Sequence, residues 1–510
     1  MNLDRWIVGS ATAVFVVLCA VSGRAEAATT RLDHYFQALA ERREFSGSVL
    51  VTQQAEQLFA AAYGLASRSP ETPMTVSTEF PYASISKLFT ATAILQLESR
   101  GLVNLDASVT RYLPQFPYPE VTARHLLNHT SGLPSMSAMF GQRSGETPDH
   151  VITNANALAS LPEPRSPLLH EPGAGANYEN LNFAVLALII ETVSGENYPD
   201  YIAAHILHPA GMTQTRYLPL FQRYEEPGRT VGLAQGYYYP TGFADPPFVG
   251  SDIPYARQFW MRYALTGFGD YVGTLRDLVR FADAYDELVP QAQRAAAFRV
   301  SRMGDGSLHP NRIGLSWYIG GDEARGTLVF HAGGSIGSSC ILVHSLERDQ
   351  TVVVFSNSPE DVNRLAFDVT RMINGQAVET PRRSLARDYV RRLLARGEES
   401  ALAYLRSHLD SPDYVLDEDE LNIMGYELMA PADPLKLGLT SDLAAALTVF
   451  KTNLDLHPQS WNAFDSYGEA LAKSGRTDEA IAMYRKSLEL NNNPGGRAAL
   501  KALLTKSRLQ

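Results

Sequence analysis

Ser84-Ile85-Ser86-Lys87 runs directly into Leu88-Phe89-Thr90-Ala91-Thr92-Ala93-Ile94-Leu95, which sets a hydroxyl and an amine where an apolar helix begins. A serine hydroxyl is a poor nucleophile at its ordinary pKa and needs a neighbouring base. Residues three apart share one helix face, so the Lys87 amine can reach the Ser84 oxygen. Partial desolvation would let that amine give up its proton near neutral pH. The helix is expected over residues 84–100, with Leu88, Ala91 and Leu95 on one face and Gly101 as its stop.

Outward from this point, residues 32–40 read as an amphipathic helix and residues 48–52 and 58–63 as strands of a hairpin. Residues 105–265 are turn-rich and mostly helical in pattern. Strand signals return at 328–331, 341–344 and 351–356, followed by a helix over 365–373. Strands at both ends with helices between them predict an α/β domain with an antiparallel sheet, completed late in the chain and carrying a mostly helical insertion.

Four residues ending in lysine are a weak pattern alone, and their companions give it weight. Tyr178-Glu179-Asn180 precedes an apolar helix, and in extended backbone Tyr178 and Asn180 point the same way. A tyrosine beside a lysine can shuttle protons, and an asparagine offers both donor and acceptor to a substrate amide or ester. Taken alone, the same residues read as a buried tyrosine and a helix N-cap. His331-Ala332-Gly333-Gly334 ends a strand, where glycines can bare the backbone N–H groups an oxyanion hole requires. The N–H groups of Ser84 and Gly334 would form the pair. Asn128-His129-Thr130-Ser131-Gly132 reads as a helix ending in a tight turn, with His129 structural.

The order Ser84-x-x-Lys87, Leu126 to Pro134, Tyr178-x-Asn180 and His331-x-Gly333 resembles the serine β-lactamase and penicillin-binding protein superfamily. The branch it is most similar to is the class C β-lactamase-like group, which includes esterases and D-amino-acid peptidases. Pro209-Ala210-Gly211-Met212, Thr274-Leu275-Arg276-Asp277-Leu278 and Gly314-Leu315-Ser316-Trp317 extend the resemblance over residues 32 to 375. It implies that Ser84 forms an acyl-enzyme, that Lys87 and Tyr178 act as a coupled acid–base pair, and that Asn180, His331 and Gly333 meet the substrate. It also implies an oxyanion hole from Ser84 and Gly334. One departure matters: the third motif of β-lactamases is usually Lys-Thr-Gly, and here His331 and Ala332 replace the cation and hydroxyl that bind the β-lactam carboxylate.

Composition agrees with a soluble globular chain of two or three domains: 510 residues, 45% hydrophobic and 19% charged. A net charge of −11 argues against a nucleic-acid partner. Arg5, the apolar run from Trp6 to Val21 and Ala25-Glu26-Ala27 read as a signal peptide over residues 1–27, which predicts a periplasmic or secreted protein. Membrane contact follows only if that segment is retained. Beyond it, Cys340 is the one cysteine, and it heads the apolar run Cys340-Ile341-Leu342-Val343, so a buried thiol is expected rather than a reactive one.

After residue 378 the chain turns Ala-, Leu- and charge-rich. Ala446, Phe450 and Leu454 recur as Ala480, Tyr484 and Leu488, an offset of 34 residues. The clearest copy, 461–494, resembles a tetratricopeptide repeat, and an earlier copy is irregular through Pro431 to Leu439. The domains expected are therefore 28–378, hydrolase, and 379–510, helical. The function expected is an exported serine hydrolase acting on a small ester, β-lactam or D-amino-acid peptide, without a cofactor or metal. The alternative is a penicillin-binding sensor or inactive scaffold that recruits a protein partner through its repeats.

Overall fold

The computed structural model describes residues 28–140, 150–161, 165–219, 222–223, 230–254, 262–358 and 361–507. Residues 1–27, with the expected signal peptide, lie outside them. Among the described residues, no helix is long and apolar enough to cross a membrane.

The central sheet is antiparallel: β1 (Gly47–Gln53), β2 (Glu56–Tyr63), β3 (Tyr318–Asp322), β4 (Gly326–Ser335), β5 (Ser338–Ser345) and β6 (Gln350–Ser356), in the order β3-β4-β5-β6-β1-β2. The early hairpin joins the late strands where Gly47 faces Ser356 and Gln53 faces Gln350. Side chains alternate between two cores. Leu50, Leu342, Val353 and Phe355 face a core that includes residues of α1 (Ser86–Ser99), α2 (Leu181–Ser194) and α3 (Leu275–Asp283). Val49, Val51, Ile341, Val343, Val352 and Val354 face the other, made with the helix over 28–41 and α4 (Val362–Ile373). Strands covered on both faces read as unbroken apolar runs, which explains the texture of residues 340–343 and 352–355.

Two local expectations change. α1 starts at Ser86, and Ser84 sits before it in the 3₁₀ turn Ala83–Ile85. Every residue from Ser86 to Leu97 is buried, so α1 has no solvent face; the spacing of Leu88, Ala91 and Leu95 traces only part of an enclosed surface. Second, β4 continues through the third motif to Ser335 instead of stopping at His331, with Gly333 opposite Cys340 and Gly334 opposite Ser339. β3 pairs only with residues 326–330 of β4, a strand the sequence pattern did not signal. The last residues of β4 therefore keep one edge open, and the turn Ala83–Ile85 lies against it.

The chain divides into two compact units, the first running up to Tyr237 and over Val249–Glu379, the second comprising Tyr238–Phe248 and Thr380–Gln510. The second unit contains α5 (Leu385–Arg396), α6 (Glu398–His408), α7 (Glu418–Met429), α8 (Leu443–Leu456), α9 (Trp461–Lys473) and α10 (Thr477–Leu490). It also holds a short parallel strand pair, Arg383–Ser384 with Tyr414–Val415, in a region expected to lack strands. A Cβ on Gly468 would come within 3.4 Å of the Tyr484 ring, and one on Gly425 within 2.5 Å of the Phe450 ring. Both helix pairs thus bring a glycine against an aromatic ring, α7 and α8 with a longer connection than α9 and α10. Tyr238–Phe248 joins this unit through the Arg391 Nε–H donating to Phe243 O (3.1 Å) and the Gly242 N–H donating to Glu427 (3.0 Å).

Candidate active site

Three pieces of backbone hold Ser84 in place. Tyr82 N–H donates to Tyr271 O (2.9 Å), and the strand Phe80–Pro81 pairs with Tyr271–Gly273. Ala83, next to Ser84, has φ +44°, a left-handed conformation that costs an alanine energy and is kept only where the surroundings enforce it. On the third side lies β4: a Cβ on Gly333 would sit 2.2 Å from Tyr82 O and 3.2 Å from Ser84 N. Cys340 is buried as expected, with its thiol donating to Tyr82 O (3.3 Å) from beneath the turn.

Lys87 is fully buried, and its Nζ donates to Ser84 Oγ (2.9 Å) and Phe268 O (3.1 Å). The ammonium also lies over the Tyr178 ring, 4.9 Å from its centroid, and near Phe183 and Phe268. Desolvation pushes its pKa down to about 7 against the opposing charges of Asp270 and Glu179. The Tyr178 phenol moves the other way, up to about 12, because desolvation outweighs its hydrogen bond with Ser84. Near neutral pH the lysine is the readily deprotonated member of the pair, and the phenol keeps its proton.

Asn180 stands at the N-terminus of α2 in helical conformation, and its side chain caps nothing. Its Oδ1 is buried without a protein partner. The cap reading fails here, and the amide is left to face the cleft. That cleft encloses about 420 Å³, part of it open to solvent, between Ser84, Asn180, Arg223, Phe268, Gly334 and Ile336.

His331 and Gly333 do not line it, although both were expected to meet the substrate. The His331 ring is buried against Tyr318 with Nδ1 on Ala332 O (2.7 Å), and burial pushes its pKa down to about 3, so it is a neutral ring at any ordinary pH. Gly333 serves the close approach of β4 to Tyr82 and Ser84. Gly334 is the exposed residue of the motif and does line the cleft. Tyr237 also lies away from it, beside Arg68 and Gln235.

His129 is structural, as its setting suggested, and closely placed. Its ring stacks on Tyr178 at 4.2 Å, and Nδ1 accepts from Glu179 N–H (3.2 Å), which puts the ring proton on Nε2. Burial holds it neutral. Sequence reasoning missed the loop 267–271, which supplies Phe268 O to Lys87. The run Gly267-Phe268-Gly269-Asp270 was the available signal: two glycines and a carboxylate just before Thr274-Leu275-Arg276-Asp277.

Known proteins resemble this chain in sequence and fold. The family model described as Beta-lactamase matches residues 32–375. Penicillin-binding protein 4* of Bacillus subtilis (strain 168) is 30% identical over 357 residues, covering 69% of this chain and 77% of the relative. A penicillin-binding protein homologue from Pyrococcus abyssi shares the fold with a TM-score of 0.54 at 24% identity, over 68% of this chain and 77% of that one. The D-amino acid amidase from Ochrobactrum anthropi SV3 does so with a TM-score of 0.52 at 22% identity, over 67% of this chain and 98% of that one. With Ser84, the buried Lys87 and β4 all inside the matched span, this chain belongs to the Beta-lactamase family, whose members are serine hydrolases.

Proposed function

We propose that this protein is an exported serine hydrolase, of the class C-like branch, that cleaves a small amide or ester through an acyl-enzyme on Ser84. The observation that carries the reading is the Lys87 amine, 2.9 Å from Ser84 Oγ and held near pKa 7 by burial. A neutral Lys87 accepts the Ser84 proton as Oγ bonds to the substrate carbonyl carbon. The N–H groups of Ser84 and Gly334 stabilise the oxyanion, and Asn180 holds the acyl side chain. Collapse of the intermediate breaks the scissile bond, and the proton passes from Lys87 through the neutral Tyr178 phenol to the leaving group. Water then repeats the sequence on the acyl-enzyme and frees Ser84.

The relatives point to substrates with a D-configured centre or a β-lactam ring: one is named a penicillin-binding protein and one a D-amino acid amidase. The buried, neutral His331 supplies no cation for a β-lactam carboxylate, and the cation that lines the cleft is Arg223 instead. Export rests on the leader-like residues 1–27, and the paired helices of the second unit are read as tetratricopeptide-like, a surface for a protein partner.

Incubation with a fluorescent penicillin, followed by mass spectrometry, should place an adduct on Ser84. A folded protein with no adduct there defeats the reading. An adduct that persists without turnover of nitrocefin, p-nitrophenyl esters or D-Ala-D-Ala peptides identifies a binding protein instead.

A further inference from the structure

Asp270 is a buried carboxylate that the acylation scheme does not use. It is 1% exposed, and its Oδ2 accepts the Gly267 N–H at 2.5 Å, which closes the loop 267–270 on itself. The backbone N–H groups of Phe268 and Gly269 bond the same side chain. Gly267 has φ +109°, and a Cβ there would lie 2.4 Å from Phe183 O in α2. The loop is therefore wedged against the helix that follows Asn180.

The same loop is tied to the nucleophile helix. Phe268 O accepts from Lys87 Nζ (3.1 Å), Gly267 O accepts from the Thr90 hydroxyl (2.6 Å), and Tyr271 N–H donates to Ser86 Oγ (3.3 Å). On its outer side the Arg223 guanidinium donates to Gly269 O (2.9 Å) and Tyr271 O (3.4 Å). A short, carboxylate-closed loop thus decides where the Phe268 carbonyl sits, and through it where the Lys87 amine points.

We propose that Asp270 is a positioning residue for acylation: it shapes the loop that presents the Phe268 carbonyl to Lys87, and its charge governs the pH at which Ser84 becomes a nucleophile. The inference rests on the acyl-enzyme reading. The groups around Lys87 are the Ser84 hydroxyl, the Tyr178 phenol, the carboxylates of Asp270 and Glu179, and the neutral rings of His129 and His331. Around Asp270 stand Arg223 and the phenols of Tyr198, Tyr217 and Tyr271, which burial keeps protonated. Burial raises the pKa of Asp270 itself to about 6, and above that pH, where it is ionised, it acts more strongly on Lys87 than Glu179 does. Removing it leaves the ammonium less supported in its apolar site, so the lysine releases its proton at lower pH.

The test is the rate of Ser84 labelling by a fluorescent penicillin, followed on the full chain from about pH 5 to about pH 9. Asp270→Asn should move the acid limb of that profile to lower pH by about half a unit or more. Thr90→Val removes an uncharged strap of the same loop and should leave the limb where it is, while lowering the rate. Should Asp270→Asn not fold, Asp270→Ser keeps an acceptor for Gly267 N–H without the charge and should give the same shift. A limb that stays in place overturns the proposal, leaving Asp270 a folding role only. One that moves to higher pH also overturns it, because water entering the loop then outweighs the lost charge. A wild-type protein that leaves no adduct on Ser84 defeats the acyl-enzyme reading itself, an outcome distinct from either.

Discussion

Lys87 and His331 are both basic, both fully buried and both lowered in proton affinity by desolvation, yet they play different parts. Lys87 lies in the first turn of α1, donates to Ser84 and Phe268, and has two carboxylates near enough to oppose its burial. The two tendencies balance near neutrality, where an acid–base group is useful. His331 lies in a strand, bonded to the carbonyl of its neighbour and packed on Tyr318, with no carboxylate acting on it. Only the Ala332 carbonyl opposes its burial while the Lys87 charge adds to it, so it stays neutral behind the cleft and takes no part in the site. Being basic and buried does not define an active-site base; the number of acceptors and opposing charges does.

The largest effect expected from this contrast is on Ser84 and Lys87. Ser84→Ala and Lys87→Ala should each lower turnover by on the order of 10³-fold or more, with the thermal transition retained. For Lys87 the stability change has a definite sign. The folded lysine binds its proton more weakly than the unfolded one, so protonation favours unfolding. That penalty is complete below about pH 7 and fades as pH rises toward the unfolded value of 10.5. Lys87→Met should therefore raise Tm at neutral pH while ending activity, as calorimetry beside an activity assay would show.

The glycine pair comes next. Gly333→Ala places a methyl against Tyr82 O, displacing the nucleophile turn, and should cost about 2–3 kcal/mol in denaturant unfolding together with most activity. A Cβ on Gly334 meets nothing within 4 Å, so Gly334→Ala should fold with a change under about 0.5 kcal/mol. Equal losses from the two would show that β4 does not press on the turn as described.

Two smaller effects separate the bases themselves. The pH profile of kcat/KM should fall on the acid side with a midpoint near pH 7, set by Lys87, and His331→Gln should leave that midpoint unmoved. Stability should still register His331: its folded pKa of about 3 lies below the unfolded 6.5, so the folded state loses ground as pH drops below the unfolded value. The fall in Tm between about pH 7 and about pH 5 should be smaller in His331→Gln than in the wild type.

Much of this was legible in residue order. The Ser84–Lys87 spacing, the apolar runs at 340–343 and 352–355 and the 34-residue echo of Ala446 in Ala480 each have a local cause: helix geometry, burial on two faces, and close packing of helix pairs. The third motif was harder to read. In sequence His331 occupies the position of a substrate-binding cation, and only the open edge of β4 shows that Gly334 reaches the cleft while His331 and Gly333 lie behind it. The loop 267–271 was missed because its value lies in contacts to residues some 180 positions away, such as Tyr271 to Ser86.

Residue order alone settled the Ser84–Lys87 spacing, the strands of the early hairpin and the late sheet and the change to paired helices after residue 378, because period, spacing and composition are properties of neighbours in the chain. The tertiary structure alone decided which basic group can accept a proton. Desolvation and opposing charge are set by what the fold brings around a side chain, and for Lys87 that is Phe268, Tyr178, Glu179 and Asp270, from loops far apart in the sequence.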